Sequence, residues 1–212
     1  MPATICSKED YLRNPCRASS LPYYKTKNLI LPEYMQILHE EAFPKKPPTD
    51  YEDSPYFRLY HNLQNLPVAL LPDGFSLFDA DLECFAAHIN ACYPGCRMTA
   101  EELCQDRTVF CAEYYVAVCS DKTKTPVATG IAALDREIGE ATLEWIQVSE
   151  GFRKQGLGTY VVSELLARIS KSATFATVSG SCRNPSHPET LYRKCGFTGH
   201  DIWHILKKRT AP

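Results

Sequence analysis

The 212-residue chain has no continuous apolar run that approaches the roughly eighteen residues needed to cross a bilayer. Its first twenty residues, MPATICSKEDYLRNPCRASS, lack the apolar core of an export signal. These absences predict a soluble, cytoplasmic protein with no membrane partner. Net charge is scarce too: 23 basic residues against 25 acidic ones leave −2 at pH 7. No broad positive field exists to gather nucleic acid, so any anion site must be local. Low-complexity tracts and fixed-period repeats are missing, and disorder is not expected beyond the termini. Cysteine is plentiful, with ten residues, but no C-x-x-C pair occurs. The spacing argues against a zinc site, and without an export signal the thiols are expected to be reduced.

What is present divides at about residue 72. Residues 1–72 form an N-terminal extension rich in proline, tyrosine and charge, broken at Pro44-Lys45-Lys46-Pro47-Pro48 and again at Pro67 and Pro72. Within it a short helix is expected over Glu33 to Phe43 and a strand over Tyr56 to Tyr60. Residues 73–212 read as the main folded domain. After the Pro72-Asp73-Gly74 turn comes a strand at Phe75 to Phe78, then a helix beginning at Ala80 and capped by Asp79, ending near Tyr93-Pro94-Gly95. Thr99-Ala100-Glu101-Glu102 is a capping box. Three strands follow, Tyr114 to Cys119, Val127 to Leu134 and Ala141 to Val148; Asp135 and Glu140 flank the second turn and are expected to be solvated. Leu157, Val161, Leu165 and Ile169 recur at four-residue intervals and predict a helix. A strand over Phe175 to Val178, a short helix over Glu189 to Lys194 and a strand over Ile202 to Leu206 complete the domain. This order predicts an α/β fold with a mixed central sheet flanked by helices.

The link from Val148 into the 157–169 helix carries Arg153, Lys154, Gln155, Gly156, Leu157, Gly158 and Thr159. Amides at a helix N-terminus have no intrahelical acceptors and carry about half a positive charge, which suits a phosphate or pyrophosphate. Glycine at 156 and 158 lets an anion approach the backbone, and Arg153 and Lys154 add charge. A dinucleotide fingerprint would need glycine or alanine where Val161 stands, and a triphosphate loop would need lysine between Gly158 and Thr159. Neither pattern is met.

Arg153-x-x-Gly156-x-Gly158 after a strand, followed by Leu191-Tyr192-Arg193-Lys194-Cys195-Gly196-Phe197, resembles the GNAT superfamily of acetyl-coenzyme-A-dependent N-acetyltransferases. The resemblance is strong across 141–197 and extends in element order over 75–206. It implies the GNAT fold, acetyl-coenzyme A as cosubstrate, no metal, and transfer of an acetyl group by direct attack of a primary amine. It places pyrophosphate on residues 153–159 and pantetheine against the backbone of Ile146 and Val148, with the Val148 N–H available to the oxyanion. Asn184 resembles the asparagine that contacts pantetheine, but stands eight residues before Tyr192, one more than the family spacing, so Ser186 or His187 can take that role instead.

Acyl transfer to an amine needs a neutral amine, a stabilised oxyanion and a proton for the departing thiolate. Tyr192 matches the family's general acid; alternatively it packs against the cofactor sulfur. Period-two alternation puts Glu144 on the same strand face as Ile146 and Val148. There it either deprotonates the amine, directly or through water, or pairs with a cation or with solvent. Arg193 and Lys194 are expected on a solvated face, and Cys195 in the packing. The acceptor is an amine-bearing small molecule or peptide, and a homodimer is compatible with the sequence. Two other readings stay open: a non-catalytic acyl-coenzyme-A sensor, and a transferase for a longer acyl group.

Overall fold

The computed structural model describes residues 6–27, 29–45 and 49–209; the predicted break at Lys46, Pro47 and Pro48 lies outside them. In chain order come helices α1 (Lys8–Arg13), α2 (Pro15–Ala18) and α3 (Tyr23–Thr26), strand β1 (Met35–His39), a 3-10 turn at Glu40–Ala42, β2 (Tyr51–His61), β3 (Phe75–Leu77), α4 (Leu82–Cys92), α5 (Ala100–Leu103), a 3-10 turn at Ala112–Tyr114, β4 (Tyr115–Ser120), β5 (Pro126–Asp135), β6 (Glu140–Val148), a 3-10 turn at Glu150–Phe152, α6 (Leu157–Ile169), β7 (Phe175–Ser181), α7 (Pro188–Lys194) and β8 (Thr198–Lys208). They make the predicted mixed α/β sheet with flanking helices. No helix among the described residues is long and apolar enough to cross a membrane. The chain divides into two compact units.

The first unit comprises Met1–His61, Thr177–Arg193 and Phe197–Pro212. Its strands run in the order β1-β8-β2-β7, with β8 antiparallel to β1 from Met35↔Lys207 to His39↔Trp203 and antiparallel to β2 on its other side. The helix expected over Glu33 to Phe43 is therefore a strand followed by a 3-10 turn. Met35, Ile37 and Leu38 fit either period. Pairing with β8 along all five residues gives β1 a ladder of backbone bonds on one side, whereas a helix this short is marginal. Arg58 is fully buried and donates to the Tyr11 hydroxyl (2.7 Å), Ser179 Oγ (3.0 Å) and Thr177 Oγ1 (3.2 Å), so it ties α1 to β2 and β7.

The second unit comprises Asn62–Ala176 and Lys194–Gly196. Its strands run β6-β5-β4-β3, each antiparallel to the next. Helix α4 starts two residues later than expected: Asp81, not Asp79, accepts the first-turn bond, from the Cys84 N–H at 2.8 Å. The strand still holds the chain at Phe78, whose N–H donates to the Ala117 carbonyl, and no helix can begin there. The capping box at Thr99 and Glu102 is complete, but its helix is a single turn. Asp135 and Glu140 are buried rather than solvated, at 5% and 1% exposure. Asp135 Oδ1 accepts the Glu137 N–H and the Asp135 carbonyl accepts the Gly139 N–H, so the tight hairpin folds the carboxylate inward.

Helix α6 covers one face of this sheet with Leu157, Val161, Leu165 and Ile169, all at most 1% exposed, each contributing about 1.5–3 kcal/mol by burial. The opposite face carries α4, where Phe85, Ala86, Ile89, Leu103, Ala117 and Ile131 form a cluster. Gly130 lets α6 sit close: a Cβ there would come within 2.6 Å of Ile146 Cδ1 and of Val161 Cγ1. Val161 is β-branched and fully buried, so it has no vacant rotamer to move into. Gly130→Ala is expected to destabilise the protein by about 1–3 kcal/mol, measured by equilibrium denaturation; an unchanged midpoint would mean that α6 is not held against β5 at this point.

Candidate functional site

Strand β6 does not alternate throughout. Ile131 pairs with Glu144 and Thr129 with Gln147, so β5 advances two residues where β6 advances three. The extra residue makes a β-bulge. Trp145 takes it up with φ 52°, a left-handed conformation costing on the order of 1–3 kcal/mol in a residue with a side chain. Its ring meets Tyr93 edge-on, with centroids 5.6 Å apart, and packs on the α4-side cluster.

The bulge overturns the expected facing of Glu144. Across it, Glu144 and Gln147 both lie opposite the Thr129 and Ile131 row, while Ile146 points the other way, toward Gly130 and α6. Period-two reasoning put Glu144 with Ile146 and Val148; one inserted residue reverses the phase and puts it on the α4 face. Glu144, Trp145, Ile146 and Val148 are half-buried in a strand whose N-terminal half is fully buried. Across Ile131 from Glu144 stands Tyr115. Its hydroxyl donates to the Leu103 carbonyl at 2.7 Å, and its pKa is pushed up, first by burial and then by the Glu144 charge.

Beyond β6 the chain enters the anion-loop candidate. Arg153 Nε donates to the Val148 carbonyl at 3.1 Å, folding the guanidinium back over the strand end, and Tyr93 Oη donates to the Ile146 carbonyl at 3.4 Å. Lys154 has φ 62° and Gly156 φ 88°. Gly156 is the N-cap of α6, with no side-chain cap bond and no acidic residue in the first turn. Arg153, Lys154, Gln155 and Gly156 are exposed, Leu157 is buried, and Gly158 and Thr159 are half-buried. The first turn of a thirteen-residue helix thus faces outward with two cations beside it, which favours an anion.

A buried polar network that sequence reasoning missed anchors the start of this loop. His88, on α4, bridges Thr129 Oγ1 (2.8 Å from Nδ1) and Ser149 Oγ (2.9 Å from Nε2), and Gln147 Nε2 donates to the same Thr129 hydroxyl. Cys92 Sγ lies 3.6 Å from His88 Nε2. Its thiol is pushed up by burial and partly restored by Arg153 and Ser149. The available signal was helical spacing: His88 lies one turn before Cys92 on the face that also carries Phe85 and Ile89.

The remaining candidates lie in the first unit. Tyr192, on α7, is 6% exposed, with its ring among those of Phe57 (6.1 Å) and Phe197 (5.8 Å). Asn184 Oδ1 accepts from the Ser186 N–H and hydroxyl at 2.9 and 2.8 Å, and its carbonyl accepts from the His187 N–H at 3.0 Å. That side chain shapes its own loop, with His187 in a left-handed conformation. Arg193 and Lys194 are exposed, Arg193 pairing with Glu189. Cys195 is buried in the second unit, its thiol pushed up to about 11 by burial. The ten cysteines are free thiols. Among the described residues no group of three or more His, Cys, Asp or Glu is placed to hold a metal.

Residues 108–199 match the acetyltransferase (GNAT) domain model. No curated protein matches the chain. Among solved structures, a GCN5-related N-acetyltransferase from Sphaerobacter thermophilus is similar at 16% identity and TM-score 0.64, over 76% of this chain and 54% of that one. A putative acetyltransferase of the GNAT family from Novosphingobium aromaticivorans gives 16% identity and TM-score 0.55, over 83% and 74%. A GCN5-related N-acetyltransferase from Kribbella flavida gives 18% and 0.51, over 84% and 68%. The chain spans about half the length of the first of these.

Burial lowers the His88 pKa below its ordinary 6.5. As pH falls the unfolded chain takes up the proton first, so the stability contributed by neutral His88 is complete above about pH 6.5 and is lost as pH drops toward the folded-state value. His88→Gln, which keeps a donor and an acceptor, is expected to show a flatter decline in unfolding free energy between pH 7 and 5 than the parent. Parallel slopes in denaturant titrations would remove His88 as a titrating element.

Proposed function

We propose, on the match of residues 108–199 to the acetyltransferase (GNAT) domain model, that the chain is a GNAT-family enzyme that transfers an acetyl group from acetyl-coenzyme A to a primary amine. The observation that carries the proposal is the turn at Gly156, where a left-handed residue delivers an uncapped helix N-terminus flanked by Arg153 and Lys154. Such a turn suits the cofactor pyrophosphate. Pantetheine would run back along β6 against the backbone of Ile146 and Val148, beside the bulge at Trp145, with the Val148 N–H directed to the oxyanion. Asn184 is assigned to pantetheine by its place ahead of the Tyr192 helix, although its side-chain oxygen is already engaged with Ser186.

In the reaction the amine nitrogen attacks the thioester carbon, the tetrahedral oxyanion collapses, the C–S bond breaks and the thiolate takes a proton. Glu144 accepts the proton that the amine must lose. Support for this role is a half-buried carboxylate at the bulge, one residue before the strained Trp145. Tyr192 supplies the thiolate proton, an assignment that rests on the Leu191-to-Phe197 segment and on a phenol pKa near that of a thiol. Direct attack needs no cysteine nucleophile.

Calorimetric titration of the full chain with acetyl-coenzyme A is expected to show micromolar binding that Gly156→Asp abolishes, because the substitution puts a carboxylate where the pyrophosphate sits and strains a positive-φ position. Equal affinity in a folded variant would make the turn purely structural. Tyr192→Phe should lower kcat by on the order of 10–1000-fold with little change in cofactor affinity. An unaltered rate across pH would remove Tyr192 as the acid, and binding without thiol release for any amine would identify a sensor rather than an enzyme.

A further inference from the structure

Two carbonyls of β6 point away from its ladder with β5, and side chains of the second unit bond both of them. The Ser149 N–H donates to the Val127 carbonyl, so the Val148 carbonyl, at the other end of the same trans peptide, is directed away from β5. Gln147 pairs with Thr129, and bonding alternates along an antiparallel ladder, so the Ile146 carbonyl is directed the same way. Arg153 Nε donates to the Val148 carbonyl at 3.1 Å, and Tyr93 Oη donates to the Ile146 carbonyl at 3.4 Å. Both carbonyls belong to the stretch of backbone assigned above to pantetheine.

Of these two bonds, the one from Tyr93 is the more easily surrendered. Its length exceeds the roughly 2.7 Å of a well-formed hydroxyl bond. Tyr93 is the C-cap of α4, where its own N–H closes the helix on the Ile89 carbonyl, and Pro94 and the left-handed Gly95 turn the chain immediately after it. The backbone is thereby fixed while the side chain keeps its rotation about Cα–Cβ. The ring is half-buried and meets Trp145 along one edge. Burial raises the hydroxyl pKa, the Cys92 charge adds to this and the Arg153 charge opposes it, so at neutral pH the hydroxyl keeps its proton and acts as a donor.

Resting on the transferase reading above, we propose that Tyr93 gates the pantetheine track: its hydroxyl occupies the Ile146 carbonyl, and an amide N–H of the cofactor displaces it on binding. The exchange replaces one hydrogen bond with another, so pantetheine gains little from this contact and the hydroxyl lowers cofactor affinity by competition. Arg153 makes the equivalent exchange at Val148. Released from that carbonyl, its guanidinium is free to turn to the pyrophosphate at Gly156, three residues on. No covalent bond is made or broken in either exchange, and Tyr93 takes no part in the chemical step. A tyrosine that merely braced β6 would act in the opposite sense, since its loss would loosen the site.

The test is calorimetric titration of the full chain and of its Tyr93→Phe variant, which loses the hydroxyl and keeps the ring against Trp145. The probes are coenzyme A and adenosine 3′,5′-bisphosphate, a fragment of the cofactor without pantetheine. The variant is expected to bind coenzyme A about two- to tenfold more tightly than the parent and the bisphosphate equally. Unchanged or weaker coenzyme A affinity in the variant would overturn the gate. A gain shared by the bisphosphate would overturn it too, because the effect would then lie in the anion loop. Tyr93→Leu, which also removes the hydroxyl, supplies a second variant and should shift affinity in the same direction. The parent's own titration separates the gate from the transferase reading. Coenzyme A binding by the parent with no gain in the variants removes the gate alone, whereas no coenzyme A binding by any of the proteins removes the cofactor site and the gate with it.

Discussion

The extra residue at Trp145 is the constraint on which the second unit's arrangement depends. A strand paired on a regular ladder shows each side chain to the face opposite its neighbour's. The bulge breaks that rule once, in the middle of β6, and changes which residues share a face. Ile146 can then fill the space above Gly130 beneath α6, while Glu144 and Gln147 turn together to the α4 face. Without the insertion one of these two demands would fail. The conformational cost at Trp145 is offset by its ring, which packs on Tyr93 and on the α4-side cluster.

From this point the chain is held at successive bonds until it reaches α6. Gln147 reaches the Thr129 hydroxyl, which also meets His88. Ser149 is fixed by its N–H to the Val127 carbonyl and by its hydroxyl to His88. Arg153 returns to the Val148 carbonyl. Only then do the left-handed residues Lys154 and Gly156 turn the chain into the helix. A site that must present free amides to an anion cannot use those amides to hold itself in place, so the positioning falls to side chains from α4 and β5. His88 supplies the link between helix and loop, and burial keeps it neutral near pH 7, which avoids burying a charge there.

How much of this could be read from the sequence depended on the range of the signal. Helix α6 was legible because Leu157, Val161, Leu165 and Ile169 bury one stripe at four-residue spacing, and no tertiary contact contradicts it. The Thr99 capping box was legible because both of its bonds are local. Strand β1 was not: Met35, Ile37 and Leu38 satisfy helical and strand periods alike, and the decision lies with β8, far along the chain. The bulge left no trace in the pattern of β6, since one inserted residue in a mostly apolar strand looks the same in either phase. Asp135 and Glu140 looked like turn residues at solvent, and only the tightness of their hairpin buries them. The loop at 153–159 was readable because its glycines and cations lie together in sequence. The His88 network and the Tyr93 bond to the Ile146 carbonyl join separate segments and were not.

A near-neutral chain can still sort its ligands by charge if its charges are segregated. The net charge of −2 conceals two opposed regions in the second unit: Arg153 and Lys154 beyond the C-terminal end of β6, and the carboxylates of Asp79, Asp81, Glu83 and Glu113 around the start of α4 and β4. Between them stands Glu144, on the face toward the carboxylates and one residue from the bulge. The first region adjoins the uncapped start of α6 and favours an anion, whereas the second repels one. Formal neutrality is thus no measure of the local potential, because charges of both signs are present and kept apart.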